Sequence, residues 1–380
     1  MNIQSISSTL VNRYRSIDKG LLYSGFVLIL FGVFLILAAG PGAAERAGLD
    51  TFIFVKKQMF WYIPAFVVIF VMSFLSSRAI RRLCLMGLGI SIILMVLTLF
   101  MGSEIKGAHR WISLFGFSIQ PSEFMKPCFA VVCAWLLASG KLIHLFPGGT
   151  LSVILYGIIV CLLVKQPDLG MTIALSAIFG VQLLLTGISK KIIVFLGGFG
   201  VCGAISAYFM FSHFRARVNA FLQTFGVDGI KGGSADSYQV DKSLEALKNA
   251  GWFGKGPGEG IVKSDLPDAH TDFILAVSAE EFGFILTAVL ICTFAFFIIR
   301  GFWLLRQENN YFTQIAVGGL LTQFAIQAII NMSSTLHLIP TKGMTLPFIS
   351  YGGSSLISIG LAFGIILGLT RRNSLSRGLE

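Results

Sequence analysis

The segment LPDAHTDFILAVSAEEFG carries the chain's densest group of residues able to do chemistry. Asp272 stands where a polar loop runs into an apolar stretch, with His270 and Thr271 beside it and Glu280 and Glu281 about two turns deeper. A carboxylate within or at the edge of such a stretch is costly to keep, so it points to function or to a dedicated partner. At this boundary, near cations that hold a substrate, Asp272 is placed to act as a general base. The simpler reading is a cap on the helix that follows.

Two Gln-Pro pairs mark further sites. In GAHRWISLFGFSIQPSEFMKP, Pro121 suits a first helical turn, and Glu123 just after it favours the positive helix end. Lys126 is disfavoured by that dipole but shares a helix face with Glu123, three residues away. Two readings stand: an ion pair that anchors the helix end, or Arg110 and Lys126 offering positive charge to an anion while Glu123 holds Lys126. In KQPDLG, Asp168 falls in the first turn of another apolar run, as an N-cap or as part of a cavity shared with the first Gln-Pro entrance. GWFGKGPGEG lacks the preceding strand and the Lys-Ser/Thr of a nucleotide loop. A plain flexible linker ranks above a backbone cradle for a pyrophosphate. HLIPTKGMTLPFISYGGSS mixes prolines, glycines, Lys342 and several hydroxyls, Ser354 among them. It reads either as an ordinary loop or as irregular backbone buried in protein at membrane depth.

The elements that must position these residues follow from composition. Hydrophobic residues make up 55% of the 380 residues and charged residues 12%, with a mean hydropathy of +0.82. That excludes a soluble globular chain. Apolar runs recur at about 20–39, 59–75, 83–101, 124–139, 146–164, 169–188, 191–211, 273–299, 312–331 and 353–370. The expectation is an all-α integral membrane protein of about ten transmembrane helices. Its domains are an N-terminal segment 1–19, helices 1–7 over 20–211, a large loop with an amphipathic helix over 212–272, helices 8–10 over 273–370, and a tail 371–380. The polar, basic start runs into a full-length apolar stretch with no small-residue cleavage site, which predicts a first span rather than a cleaved signal.

Basic residues set the orientation. Clusters such as Arg13 with Arg15 and Lys19, Arg78 with Arg81 and Arg82, Lys190 with Lys191, and Arg300 with Arg306 outnumber those of the alternate loops. Both termini are therefore expected in the cytoplasm and the 212–272 loop outside. The same clustering explains the net charge of +11 without nucleic acid. Within the long loop, Tyr238, Leu244, Leu247 and Trp252 recur at roughly helical spacing, as in a helix lying along the membrane interface. The six cysteines show neither CxxC nor metal-like spacing and read as small buried apolar residues.

The strings GAHRWI, QPSEFMK, QPDLG, YQVDKSLEA, LPDAHTDFILAVSAEEFG and PTKGMTLPFISYGGSS, in this order over nearly the whole chain, resemble the SEDS (shape, elongation, division and sporulation) proteins of bacterial cell-wall synthesis. The last string is more similar to the division branch than to the elongation branch. The glycine-rich run and the Leu of HTDFIL depart from the common pattern and leave Asp272 untouched. The resemblance implies a bacterial inner-membrane peptidoglycan glycosyltransferase at the septum. It would polymerise lipid II with a class B penicillin-binding protein and other divisome proteins as partners. It also implies Asp272 as the essential aspartate, with Glu123, Lys126 and Arg110 as functional residues. Arg110, Glu123, Lys126, His270 and Lys342 are then expected around the substrate and its diphosphate, with Asp168, Glu281 and Ser354 in support. No metal cage is visible in the sequence, although a divalent cation, Mg or Mn, could assist at a diphosphate. The competing readings are a lipid II flippase, whose charges would sit nearer the midplane, and a non-catalytic divisome scaffold.

Overall fold

The computed structural model describes residues 15–105, 108–114, 117–143, 145–187, 235–340 and 343–371, with a few residues between 197 and 222. Within these, the helices are α1 (Lys19–Arg46), α2 (Ile53–Phe74), α3 (Ser77–Met101), α4 (Pro121–Leu142), α5 (Gly148–Lys165), α6 (Leu169–Leu185), α7 (Ala235–Lys248), α8 (Val262–Asp265), α9 (Ile274–Leu305), α10 (Tyr311–Thr335) and α11 (Gly353–Leu369). Between α3 and α4 lie three short antiparallel strands in the order β1 (Ser103–Ile105), β2 (Ala108–Leu114) and β3 (Phe117–Ile119).

Among the described residues, α1, α2, α3, α4, α5, α9 and α10 are long and apolar enough to cross a membrane. The apolar helices α6 and α11 have 17 residues each, at the lower limit for a span. The expected run at 191–211 lies largely outside the described residues.

Helix starts follow local chemistry. The carboxylates of Asp18 and Asp168 and the side chains of Ser76 and Asn310 accept first-turn amides of α1, α6, α3 and α10, and Pro121 opens α4. Burial separates centre from rim. In their most apolar windows α4 and α10 bury 72% and 78%, against 28% and 22% for α3 and α5. The outer helices expose Ile63, Phe70, Ile90, Ile93 and Ile154, the residues lipid would cover. On α11, Gly360 and Gly364 face the α2 backbone at Ala65 and Ile69, so the two helices approach closely.

Basic residues gather at one end of the bundle. Arg300 pairs with Asp18 at 2.7 Å, Lys141 lies over the Tyr311 ring, Arg81 over Phe312, and Arg371 donates to the Ser73 carbonyl.

Three expectations change here. First, the apolar run at 273–299 is not one straight span. Gly283 (φ 80°, ψ −178°) breaks α9, and the protein-buried stretch before it is distinct from the longer stretch after it. Second, α7 is not held by the membrane interface alone, because one of its faces packs on protein. It packs through Val240, Ser243 and Ala246, with the Ser243 hydroxyl donating to the Thr335 carbonyl at 2.8 Å, while Tyr238 and Trp252 are exposed. Small residues permit that close approach to α10; aromatic ones would hold it off. Third, Cys161 and Cys292 are exposed on the bundle's rim, whereas Cys84, Cys128 and Cys133 are buried. Periodicity cannot tell a lipid-facing position from a protein-facing one. Cys202 lies outside the described residues.

Candidate functional site

Asp272 sits two residues before α9, whose N-cap position is Phe273. Its carbonyl accepts from the Asn331 amide on α10 at 2.9 Å, and the same nitrogen donates to the Met344 carbonyl at 2.8 Å. One amide thus ties the Asp272 turn to the segment after α10. On the carboxylate's side, Oδ2 would lie 3.3 Å from a Cβ placed on Gly343, so the 343–344 backbone passes directly against it. Asp272 itself is half-buried.

The segment 343–352 is no ordinary loop. Met344, Leu346, Phe348, Ile349 and Ser350 are all buried. Non-helical backbone there must find partners within the protein. The Ser350 hydroxyl accepts the Leu346 amide and donates to the Thr271 carbonyl, the Tyr62 hydroxyl donates to the Phe348 carbonyl, and the Tyr351 amide donates to the His270 carbonyl. Ser354 is buried in the first turn of α11, and Lys342 lies outside the described residues.

His270 occupies an aromatic slot, its ring centroid 4.3 Å from Phe54 and 5.3 Å from Tyr351. Burial pushes its pKa down to about 4; Arg46 adds to the fall and Asp268 opposes it. The imidazole is therefore neutral at neutral pH and offers hydrogen bonding or stacking rather than charge.

The two Gln-Pro entrances do meet. Asp168 caps α6 through the Met171 amide at 3.3 Å and receives the Gln120 side-chain amide at 3.4 Å. Arg110 reaches across from β2, donating to the Gln166 carbonyl at 2.9 Å and to the Pro167 carbonyl, with its Nη1 3.7 Å from Asp168. Met344 packs against Gly170, so the 343–344 segment touches both this cluster and Asp272.

Glu123 and Lys126 form a buried ion pair at 2.9 Å, with side chains 4% and 0% exposed. Glu123 Oε2 and Lys126 Nζ have no hydrogen-bond partner among the described residues; the pair is close but off hydrogen-bond direction. Expected at a helix entrance open to an anion, Lys126 is instead enclosed, because α4 lies at the bundle's centre. Among the described site residues, Arg110, 27% exposed, is the cation that retains an open face.

Glu280 and Glu281 are not free intramembrane acids. The Glu280 carboxylate accepts the amides of Ile261, Val262 and Lys263 at 2.9–3.0 Å. Glu281 accepts the Gly258 amide at 3.0 Å and pairs with Lys263. The glycine-rich run is therefore neither a loose linker nor a cradle awaiting a pyrophosphate, because α9 already takes its Lys255, Gly256 and Gly258 amides and those of residues 261–263 just beyond it. The break at Gly283 makes this possible. Carbonyls of Glu280 and Glu281 accept from Lys255 and Gly256, and the Phe284 and Ile285 amides donate to Gly251 and Trp252.

Sequence reasoning missed Asn331, Gln120 and Gln166 as organisers. A polar side chain in the apolar run AIINMSS was the available signal. Among the described residues no group of three or more His, Cys, Asp or Glu gathers to hold a metal ion.

Fold and site together define a polytopic helical protein with a carboxylate at the junction of a buried, irregular segment. Residues 19–375 match the cell cycle protein family of FtsW, RodA and SpoVE. A Caulobacter vibrioides protein named probable peptidoglycan glycosyltransferase FtsW is 41% identical over 356 residues, 93% of this chain and 89% of that one. A protein of the same name from Saccharophagus degradans is 34% identical, covering 98% of both chains. A chain of a solved peptidoglycan synthase complex superposes with a TM-score of 0.76 at 24% identity, over 93% of this chain and 98% of that one. Thermus thermophilus RodA gives a TM-score of 0.68 at 23% identity, over 93% and 97%. The chain belongs to this FtsW/RodA/SpoVE family, the SEDS proteins, and is a multi-pass membrane protein.

Proposed function

We propose that the chain is a peptidoglycan glycosyltransferase that polymerises lipid II during septal wall synthesis in the bacterial inner membrane, with Asp272 as general base. The relative named for that activity, 41% identical over 93% of the chain, carries the activity. The placement of Asp272, half-buried and clamped to the 343–344 backbone, supports its role.

In this reading ten spans leave both termini in the cytoplasm and the 212–272 loop outside. The cluster of Arg81, Lys141, Arg300 and Arg371 at one bundle end supports that orientation. Asp272 takes the proton of the acceptor sugar hydroxyl as its oxygen attacks the donor anomeric carbon, and the bond to the polyprenyl diphosphate breaks with inversion. Arg110, and Lys342 beyond the described residues, stabilise the leaving diphosphate. Neutral His270 and the hydroxyl of Ser354 shape the pocket. Asp168 and Glu281 hold the α6 entrance and the glycine-rich loop. Lys126, paired with Glu123, fixes the α4 entrance from inside. A divalent cation would assist only at the diphosphate, and the partner is a class B penicillin-binding protein.

The test is polymerisation of lipid II by the purified protein with its penicillin-binding partner, followed by gel. Asp272→Ala should lower the rate by roughly 10²–10⁴-fold, the usual share of a general base. Equal polymer from wild type and Asp272→Ala would remove the aspartate from the mechanism. No polymer from either, with lipid II crossing liposomes that contain the protein, would replace polymerisation by transport.

A further inference from the structure

At the bundle end opposite Asp272, the first turns of α3 and the flank of α4 enclose a pocket lined by Arg78, Arg81, Arg82, Leu85 and Trp135. The arginines stand at i, i+3 and i+4, so one helix face presents all three guanidinium groups. An orientation signal alone explains basic residues at this end, but not three on one helix face with no carboxylate beside them among the described residues. Arg300 has Asp18, and Arg371 and Lys141 have carbonyls. Among the described residues, no carboxylate pairs with Arg78, Arg81 or Arg82. Arg81 alone is braced, its guanidinium 5.3 Å from the Phe312 ring centroid. Beyond the cations, Leu83, Leu85 and Met86 are 42%, 50% and 57% exposed on the same helix.

We propose that this pocket is a binding site for one anionic phospholipid, the phosphate on Arg78 and Arg82 and the acyl chains running along Leu85 and Met86. A guanidinium cluster matches a phosphodiester through forked, charge-assisted hydrogen bonds. The half-buried Trp135 supplies the amphipathic wall typical of the headgroup level. A soluble anion would use the arginines and leave the apolar flank bare, whereas a phospholipid uses both. Basic pockets between helices at a membrane surface have this recognition chemistry. The site rests on the membrane-spanning reading and is independent of the chemistry at Asp272.

The test is native mass spectrometry of the detergent-purified full chain with phosphatidylglycerol or phosphatidylcholine added. One phosphatidylglycerol per chain should survive activation that strips phosphatidylcholine. Attraction per basic residue near an anionic surface corresponds to about fivefold in affinity, so Arg78→Gln with Arg82→Gln should lower retention by more than about tenfold. Leu85→Glu should do the same by placing a carboxylate among the arginines. All three positions are exposed, and unchanged thermal unfolding of the variants would separate lost binding from misfolding. Arg306→Gln, an exposed charge near the same end and outside the pocket, should leave retention unchanged. Equal retention by wild type and the double variant overturns the proposal, as does equal loss in Arg306→Gln, which would mean diffuse attraction. Full displacement by millimolar inorganic phosphate overturns it too, reducing the site to one for free anions. Lipid II polymerisation assayed beside it fails or succeeds separately, since none of these residues lies near Asp272.

Discussion

Gly254 and Gly283 press backbone against backbone: a Cβ on Gly254 would sit 2.3 Å from the Glu281 carbonyl oxygen, and one on Gly283 would sit 2.4 Å from the Gly254 nitrogen. Both residues have positive φ, +75° and +80°. Gly283, with ψ near 180°, occupies a region essentially reserved for glycine. Gly283→Ala should therefore cost about 3 kcal/mol or more and release the 251–263 run from α9. Faster limited proteolysis within that run, together with a lower unfolding temperature, checks this. An alanine variant as protease-resistant as wild type would mean the contact is not what holds the loop.

The enclosed Glu123–Lys126 pair yields a second expectation. Removing one partner strands the other charge inside the bundle. Lys126→Met should cost about 3–5 kcal/mol, while Glu123→Leu with Lys126→Met should recover most of that loss. Thermal unfolding of the single and double variants measures the coupling. Polymerisation assayed on the double variant separates roles: stability restored without activity marks the pair as part of the working site.

Asn331 makes a third test, because one amide nitrogen serves both the Asp272 and Met344 carbonyls. Asn331→Leu keeps the volume and loses both bonds. If Asp272 is the base, misplacing it by about an ångström should lower kcat by about 10²-fold with a smaller change in KM. A rise in KM alone would place Asn331 in substrate binding instead.

His270 gives a pH dependence. In the unfolded chain its imidazole protonates below about 6.5, whereas in the folded protein it resists until about 4. Between those values the unfolded state binds more protons, so stability is full above pH 6.5 and falls as pH drops toward 4, by up to about 3 kcal/mol. His270→Phe keeps the stack with Phe54 and Tyr351 and removes the titration. Its unfolding temperature should be flatter with pH across that window, and an unchanged slope would assign the acid sensitivity to other groups.

How far the sequence reaches is clearest residue by residue. Pro121 and Asp168 were legible as helix starts because the first-turn preferences of proline and of a capping carboxylate are local, and both stand there. The meeting of the two Gln-Pro entrances was conditional on which helices pack together. Only the bundle supplies Arg110 reaching the Pro167 carbonyl. Glu280 and Glu281 were readable as anomalies in an apolar run, but their partners lie some twenty residues earlier, in a run that folds back beside the Gly283 break, which no periodicity announces.

By itself, the sequence determined that lipid is the solvent, roughly where most apolar helices lie, and which polar residues are too expensive to be accidental. Each of these depends on local composition and on the energy of moving one side chain or one peptide group out of water. Tertiary structure alone decided that Lys126 is enclosed with Glu123, that carboxylates of α9 occupy the amides of Gly258 and of residues 261–263, and that the 343–344 segment touches both Asp272 and the α6 entrance. Those outcomes depend on which helix faces meet, and in an apolar chain almost every face is hydrophobic enough to be buried by protein or by lipid.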